Sequence, residues 1–175
     1  MQDWRYCPHC GAEVQGDERR VECGACGFVA YANPAPTATA VIEDAEGRVL
    51  LGRRGIEPDK GLWDLPGGFV DEGEHPLDAL QRELREEASL EIEPEEFLGV
   101  WMDRYGGDAP AVSTLNLYWT ARITGGSMRA ADDVAELRWF PPDEIPWDEL
   151  AFQTNRKVLR AWLDRKQNAS ISGPL

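Results

Sequence analysis

The sequence predicts an α/β fold that is preceded by a small cysteine-rich segment. All four cysteines lie within the first 26 residues. Beyond them, short β-rich runs alternate with turn residues, and two longer segments carry the apolar spacing of amphipathic helices. A chain of 175 residues has room for one ordinary domain and one small addition.

The cysteines form two close pairs, Cys7 with Cys10 and Cys23 with Cys26, in the spacing C-x2-C-x12-C-x2-C. Four thiolates in this arrangement favour a tetrahedral structural Zn²⁺. Two disulfides and a rubredoxin-like iron site are the alternatives. No signal peptide precedes the cysteines, which predicts a cytoplasmic protein in a compartment where disulfides are rare.

Residues 1–33 resemble a zinc ribbon. A segment of this size cannot bury enough core to fold alone, so the metal is expected to hold it together. Ribbons often bind nucleic acid, but this one carries three arginines against five acidic residues, a net charge of −2. Binding of nucleic acid without a basic patch is not expected, so we predict a stabilising or dimerising role.

The main domain is predicted over residues 37–167, after a stiff proline-containing linker. Two β-rich runs, Thr37–Ile42 and Arg48–Arg53, enclose a turn and predict a hairpin. A loop over residues 54–64 follows, and then a helix. No stretch is long and apolar enough to cross a membrane.

Three further strands are predicted after that helix, at Phe97–Met102, Leu115–Ile123 and Val134–Phe140. Prolines break the chain over residues 141–146. A last helix over Glu149–Lys166 would carry an apolar face made of Phe152, Leu159, Trp162 and Leu163. Residues 168–175 are predicted to form a disordered tail.

The middle helix follows a glycine turn at residues 66–68. His75-Pro76 predicts its start, because proline at the first helical position loses no hydrogen bond. Apolar residues then recur at the spacing of one helix face, at Leu77, Leu80, Leu84 and Ala88.

Glu83, Glu86 and Glu87 share a different face of this helix and are expected to converge on one spot. Like charges this close repel one another, and a hard divalent cation such as Mg²⁺ or Mn²⁺ would compensate. A solvated acidic face is the plainer interpretation of the glutamates alone. The net charge is −14, and residues 71–96 hold eleven acids against two arginines. Without bound metal, this region would repel an anionic substrate.

Residues 68–90 resemble the Nudix box, whose pattern is G-x5-E-x7-R-E-U-x-E-E-x-G-U, with U a bulky apolar residue. Ser89 stands where the pattern has its last glycine. The preceding residues 61–68, GLWDLPGG, are also similar to the usual lead-in. The matching positions are Gly68, Glu74, Arg82, Glu83, Leu84, Glu86, Glu87 and Leu90.

The resemblance implies an α/β/α sandwich with a mixed β-sheet. It also implies a metal-dependent hydrolase of a nucleoside diphosphate derivative, such as ADP-ribose, a nucleotide sugar or a dinucleotide. Glu83, Glu86 and Glu87 would hold Mg²⁺ or Mn²⁺, with Glu74 in support and Arg82 orienting them. A metal-activated water would attack a phosphorus of the diphosphate.

A zinc ribbon followed by a Nudix domain also resembles bacterial NADH pyrophosphatases, some of which remove NAD caps from RNA. Their segment S-Q-P-W-P-F-P-x-S after the box is absent, since residues 98–107 read LGVWMDRYGG. Hydrolysis of NADH or NAD, or RNA decapping, is therefore an alternative. A ligand-sensing Nudix module without catalysis is a second alternative. Enzymes of this family are commonly homodimers, an assembly that the residues themselves do not indicate.

Weaker candidates for substrate contact flank the box. The arginines would clamp phosphate, and the aromatic residues would stack on a base. One of the acids would act as a further metal ligand or as the general base, as the resemblance implies. Surface charges and core aromatics are the plainer interpretation. These candidates are Arg53, Arg54, Trp101, Arg104, Tyr105, Asp133 and Glu136.

Overall fold

A computed structural model describes residues 5–16, 19–106 and 111–171, with side-chain surroundings up to residue 168. The end of the predicted tail, residues 172–175, lies outside this range, as do three of the five acids in the ribbon. Neither helix in the described part of the chain combines the length and apolar character that a membrane crossing requires.

The ribbon contains two short antiparallel strands, β1 (Arg20–Glu22) and β2 (Val29–Tyr31). Among the described residues of the ribbon, the core consists of Cys7, Cys23 and two valines. Since half of this core is cysteine, apolar packing gives the ribbon little support of its own.

The rest of the chain confirms the predicted α/β class with a mixed sheet. A four-stranded sheet has the order β6-β3-β8-β7, in which β3 and β8 are parallel, and a three-stranded sheet has the order β5-β4-β9. The elements are β3 (Ala35–Ile42), β4 (Val49–Arg54), β5 (Trp63–Asp64), β6 (Gly67–Phe69), α1 (Pro76–Ala88), β7 (Leu90–Tyr105), β8 (Val112–Gly126), β9 (Val134–Phe140) and α2 (Gln153–Ile171).

Strand alternation separates the two faces of the sheets, and one helix covers each face. Ala40 and Ile42 of β3 belong to the core that α1 supplies with Leu80 and Leu84. Val41, between them, belongs to the other core, which includes Val158 and Leu159 of α2. Thr37 and Thr39 share the face of Val41, so β3 presents hydroxyls toward the α2 side.

The strands β7 and β8 are longer than predicted. At the start of β7, buried Leu90 and Ile92 alternate with exposed Glu91 and Glu93. This two-residue period is too short to predict a strand by itself, because residues 94–96, a proline and two glutamates, interrupt it. The short strands β5 and β6 were also missed, because their two and three residues lie within a turn-rich segment.

The last helix differs from its prediction at both ends. Residues Trp147–Glu149 form a separate 3₁₀ turn, so α2 begins at Gln153, and Phe152 precedes the helix instead of lying on its apolar face. Leu159, Trp162 and Leu163 pack in the core as predicted. The helix continues to Ile171, so residues 168–171 of the predicted disordered tail are helical.

Helix α1 begins where the sequence predicts. The side chain of His75 accepts a hydrogen bond from the N–H of Leu77, with Nδ1 3.2 Å from the nitrogen, and Pro76 opens the helix. The helix ends at Ser89, whose φ of 56° and ψ of 35° are left-handed. This is the position of the missing box glycine, so serine adopts the conformation for which glycine is favoured.

Ser89→Gly is expected to stabilise the protein by about 1 kcal/mol, because a residue with a Cβ is strained in the left-handed region. For a chain of this size the corresponding rise in Tm is about 2–4 °C in thermal unfolding. Ser89→Ala is the matched control and should not raise the Tm, since alanine keeps the strain. An unchanged or lower Tm for the glycine variant would contradict this account.

Candidate active site

A cavity of about 250 Å³ opens on the α2 side of the four-stranded sheet. The parallel register of β3 and β8 pairs Thr37 with Asn116 and Thr39 with Tyr118 at its floor. The hydroxyl of Thr37 donates to Oδ1 of Asn116 over 2.8 Å, and Nδ2 of Asn116 donates to the hydroxyl of Thr114 over 3.0 Å. The floor is therefore polar, uncharged and fixed by its own hydrogen bonds.

Seven acidic residues line the cavity, and three of them, Glu83, Glu87 and Asp133, form a wall in which the charges of Glu83 and Asp133 act on Glu87. Glu87 is 8% exposed, and the N–H of Gly67 donates to its Oε2 over 3.0 Å. Burial raises the pKa of Glu87 well above its usual range, against the effect of that N–H, and the charges of Asp133 and Glu83 raise it further. Burial also raises the pKa of Glu83, although Arg82 acts in the opposite direction. Oxygen ligands of this kind suit a hard divalent cation.

Arg82 connects the carboxylates of the box. Its Nε and Nη2 donate to the two carboxylate oxygens of Glu74 over 3.0 and 2.9 Å, and its Nη1 donates to Glu83 over 2.7 Å and to Glu86 over 3.1 Å. Nη2 also donates to the carbonyl of Phe69 over 3.0 Å. The hydrogen bonds from Arg82 lower the pKa of Glu74. Arg82 thus fixes the rotamer of Glu83, as a planar guanidinium can.

The three predicted glutamate ligands do not all reach the cavity. Glu83 and Glu87 line it, whereas Glu86 lies on the outer side of Arg82 with its side chain 49% exposed. Positions 83 and 87 are one turn apart, and position 86 is rotated by about 100° from 87. The structure therefore places two of these three acids at the cavity, together with Asp133, but their carboxylate oxygens are not all close enough to share one ion.

Four of the weaker candidates line the cavity: Arg54, Arg104, Tyr105 and Asp133. Arg54 is the most constrained of them. It donates to the carbonyl of Pro58 over 2.7 Å, to Asp64 over 3.0 Å and to the hydroxyl of Tyr105 over 3.2 Å. Its guanidinium carbon also lies 5.2 Å from the centre of the Phe152 ring.

The other three weaker candidates do not line the cavity. Arg53 donates to the carbonyl of Gly61 over 2.8 Å on the protein surface. Trp101 packs against the core, with its ring centre 5.4 Å from that of Tyr118. Glu136 pairs with Arg138 over 2.5 Å. Of the two predicted acids near β9, only Asp133 reaches the cavity.

Sequence reasoning missed a chain of hydrogen-bonded polar groups that line the cavity. Nδ2 of Asn155 donates to Asp64 over 2.7 Å, and the hydroxyl of Tyr118 donates to Oδ1 of Asn155 over 3.4 Å. Burial raises the pKa of Asp64, although Arg54 and Asn155 oppose this effect. The only signal in the sequence was the position of Asp64 within the lead-in to the box.

The four cysteine sulfurs of the ribbon lie within 4.8 Å of one another. Sγ of Cys7 is 3.8 Å from that of Cys26, and Sγ of Cys10 is 3.6 Å from that of Cys23. Four sulfurs about 2.3 Å from a tetrahedral Zn²⁺ would have this spacing. In the described part of the chain, this is the one group of three or more acidic, His or Cys side chains close enough to share an ion.

The thiols of the ribbon differ in acidity. The N–H of Cys26 lowers the pKa of Cys23 to about 7. The N–H of Phe28 acts to lower the pKa of Cys26, but burial and the neighbouring thiols raise it to about 12. Four thiolates therefore need a compensating positive charge, which fits a bound Zn²⁺.

The chain is similar in sequence to a known domain family and to named proteins. The family model described as NUDIX domain matches residues 33–162. A protein of Methanocaldococcus jannaschii named ADP-ribose pyrophosphatase is 32% identical over 135 residues, covering 76% of this chain and 75% of the relative. A Pseudomonas aeruginosa protein named NAD-capped RNA hydrolase NudC is 25% identical and covers 95% of this chain, which spans only 58% of that relative.

The fold also has solved counterparts. The crystal structure of a NUDIX hydrolase from Nitrosomonas europaea superposes with a TM-score of 0.78 at 28% identity, covering 94% of this chain and 93% of that one. A MutT NUDIX hydrolase from Burkholderia pseudomallei superposes with a TM-score of 0.64 at 29% identity, covering 74% of this chain and 98% of that one.

Proposed function

The chain belongs to the Nudix family and is an enzyme acting on phosphorus anhydrides, and from this premise we propose that it hydrolyses the diphosphate linkage of a nucleoside diphosphate derivative with Mg²⁺ or Mn²⁺. The observation that carries the proposal is the wall of Glu83, Glu87 and Asp133 beside a polar cavity. The 32% identical relative named ADP-ribose pyrophosphatase favours ADP-ribose over a nucleotide sugar or a dinucleotide.

Glu83 and Glu87, with Glu86 from the same helix and Asp133 from the loop before β9, would hold the divalent ions. Burial is the main cause of the raised pKa of both Glu83 and Glu87, and neighbouring carboxylates add to it; a bound cation would offset both effects. When bound, the metal would lower the pKa of a water molecule and neutralise charge on phosphate oxygens.

The remaining residues of the cavity would bind and orient the substrate. Arg82 donates to Glu83 over 2.7 Å and so orients this one ligand before binding. Arg54 is fixed by Asp64 and Tyr105, and its unused N–H groups would bind a phosphate oxygen or a ribose hydroxyl. Asp133 lines the cavity and Glu136 does not, which makes Asp133 our candidate for a further ligand or the general base.

The test is a substrate panel with Mg²⁺, with Mn²⁺ and without divalent metal: ADP-ribose, NADH, NAD, UDP-glucose, FAD, CoA and nucleoside triphosphates. We expect metal-dependent release of two monophosphates from ADP-ribose or a related diphosphate. Incorporation of ¹⁸O from labelled water would identify which phosphorus is attacked. Ligand binding without turnover of any compound would instead indicate a sensing module.

A second candidate is hydrolysis of NAD or NADH, or of NAD caps on RNA. The similarity to the protein named NAD-capped RNA hydrolase extends over 95% of this chain, a share that includes most of the ribbon. Release of nicotinamide mononucleotide at a higher kcat/KM than ADP-ribose hydrolysis would favour this candidate. RNA binding that weakens with salt would be required for a decapping role.

Gly68→Ala should lower kcat/KM by about 100-fold with little change in stability. A Cβ at Gly68 would lie 2.5 Å from Cδ of Glu83, so the carboxylate must move, and a misplacement of 1 Å can cost about that factor. Kinetics and thermal unfolding measure the two effects. Activity of Gly68→Ala close to wild type would place Glu83 outside the reacting centre.

Two neighbouring variants serve as controls for Gly68→Ala. A Cβ at Gly67 would lie 2.3 Å from the carbonyl oxygen of Ala38, a backbone atom that cannot give way, so Gly67→Ala should lower the Tm as well. A Cβ at Gly125 meets only Glu91, at 3.7 Å. Gly125→Ala should change neither activity nor Tm.

A further inference from the structure

Asp103 is an acidic residue of the cavity wall that the proposed chemistry does not use. It lies on β7 opposite Thr114 of β8, on the side of the cavity formed by the sheet. In the parts of the chain that the structure describes, its carboxylate forms no ion pair with an arginine or lysine. A carboxylate in a substrate cavity without a cation partner is a candidate acceptor for a substrate hydrogen bond.

The hydrogen bonds of Asp103 leave one acceptor position open. Its Oδ2 accepts from both the N–H and the hydroxyl of Thr154, each over 3.1 Å, and its Oδ1 accepts from the N–H of Arg104 over 2.9 Å. Each carboxylate oxygen has two lone pairs, so Oδ2 is saturated and Oδ1 can accept once more. Thr154 lies in the first turn of α2, so the helix end both orients the carboxylate and favours its negative charge.

The surroundings of Asp103 suit a flat ring. Tyr105 follows it by two residues on β7, and Phe152 precedes Thr154 by two residues. The ring centres of Tyr105 and Phe152 are 5.9 Å apart, and that of Phe69 is 5.3 Å from Tyr105. All three aromatic residues line the cavity. Bases stack on aromatic side chains with a gain of about 1–3 kcal/mol each.

The size of the cavity limits what it holds. Its volume is about 250 Å³, below the roughly 300–1,000 Å³ of pockets that enclose a drug-sized ligand. It therefore has space for one moiety of a two-part diphosphate substrate. Glu83, Glu87 and Asp133 would face the phosphates, and the second moiety would lie outside the cavity.

We propose that Asp103 is a specificity-determining residue, whose Oδ1 accepts a hydrogen bond from an amino group of the substrate's nucleobase. The site would then prefer a base with an exocyclic amine, such as adenine, over the corresponding keto base, hypoxanthine. A keto oxygen at that position would face an acceptor and leave the carboxylate unpaired. This proposal rests on the proposed function, because it assumes that the cavity holds the base of a nucleoside diphosphate.

The test compares an amino with a keto base in two independent measurements. Calorimetry in Mg²⁺ compares the Kd of AMP and IMP, the products expected from each substrate. Kinetics compares the kcat/KM of ADP-ribose with that of inosine diphosphate ribose. For the wild-type protein we expect a preference of at least about tenfold for the amino base in both, the scale of one hydrogen bond to a charged group.

Two variants, Asp103→Asn and Thr154→Val, distinguish a role of Asp103 in base preference from a role in stability. Asparagine offers an amide N–H₂ in place of one carboxylate oxygen, so Asp103→Asn should abolish or reverse the preference. Thr154→Val removes only the hydroxyl that bonds Oδ2, so it should lower the Tm and keep the preference. The wild-type comparison is made on the unchanged protein and remains decisive even where a variant does not fold.

Equal Kd values for AMP and IMP in the wild type would overturn the role of Asp103, as would an equal loss for both bases in Asp103→Asn. Turnover of both diphosphates without preference would overturn this role and leave the proposed function intact. A tenfold preference for AMP without turnover of any diphosphate would support the role of Asp103 and contradict the proposed function.

Discussion

Glu87→Gln is expected to reduce kcat/KM in Mg²⁺ by more than about 100-fold, because even indirect partners of a metal ligand contribute about 10–100-fold. Glutamine has the same shape and can still accept the hydrogen bond that Gly67 donates over 3.0 Å. The variant therefore removes a negative charge from the wall of the cavity and leaves the local packing in place. Steady-state kinetics over a range of Mg²⁺ concentrations measures the loss.

The same variant should raise the Tm in the absence of added divalent metal. Glu87 is 8% exposed and faces Glu83 and Asp133, so an ionised side chain there destabilises the folded state. When a residue serves catalysis at a cost in stability, its replacement lowers the activity and raises the Tm, and we expect both effects for Glu87→Gln. A lower Tm together with the lost activity would instead assign Glu87 a structural role.

Two other glutamates of this region make the comparison specific. Glu91 is exposed and pairs with Arg85 over 3.5 Å, so Glu91→Gln should leave kcat/KM unchanged. Glu86→Gln tests the predicted ligand that lies outside the cavity. A loss as large as that of Glu87→Gln would mean that Glu86 turns away from Arg82 when metal binds.

The fold class followed from periodicity, because α1 and the central strands bury apolar residues at regular spacing. The start of α1 at Pro76 was predictable from local chemistry alone. The limits of β7 and α2 were not, because they depend on partners distant in sequence. Charged residues extend β7 where β8 pairs with it, and Asp103 bonds the start of α2 across 51 positions of sequence.

The candidate site shows the same division. Glu83 and Glu87 could be predicted because a helix fixes their spacing, and the four cysteines could be predicted because metal ligands have few permitted spacings. The roles of Asp64, Asn155 and Asp103 could not be predicted, because each depends on a hydrogen bond to a residue on another element. Helix periodicity also grouped Glu86 with Glu83 and Glu87, whereas only the latter two line the cavity.

Removal of zinc from the ribbon is expected to unfold the ribbon and leave the α/β domain folded. In the part of the ribbon that the structure describes, the core holds two valines besides the cysteines, Val14 and Val21. Structural zinc in small domains contributes about 10–16 kcal/mol at neutral pH, far more than two valines at about 1.5–3 kcal/mol each. The predicted content is one zinc per chain, measured by elemental analysis.

Cys10→Ser and a zinc-selective chelator should therefore have the same effect on amide hydrogen exchange. Amides of β1 and β2 should lose protection, and amides of β3 and β8 should keep it, because neither core of the α/β domain includes a described residue of the ribbon. His9→Ala is the matched control. His9 lies between two cysteines and stacks on Phe28 at 5.7 Å between ring centres, so its loss should leave zinc bound and exchange unchanged.

Two outcomes would contradict this account. Loss of protection in β3 and β8 as well would mean that the ribbon and the α/β domain fold as one cooperative unit. Retained protection of β1 and β2 without zinc would show that the ribbon does not depend on the metal.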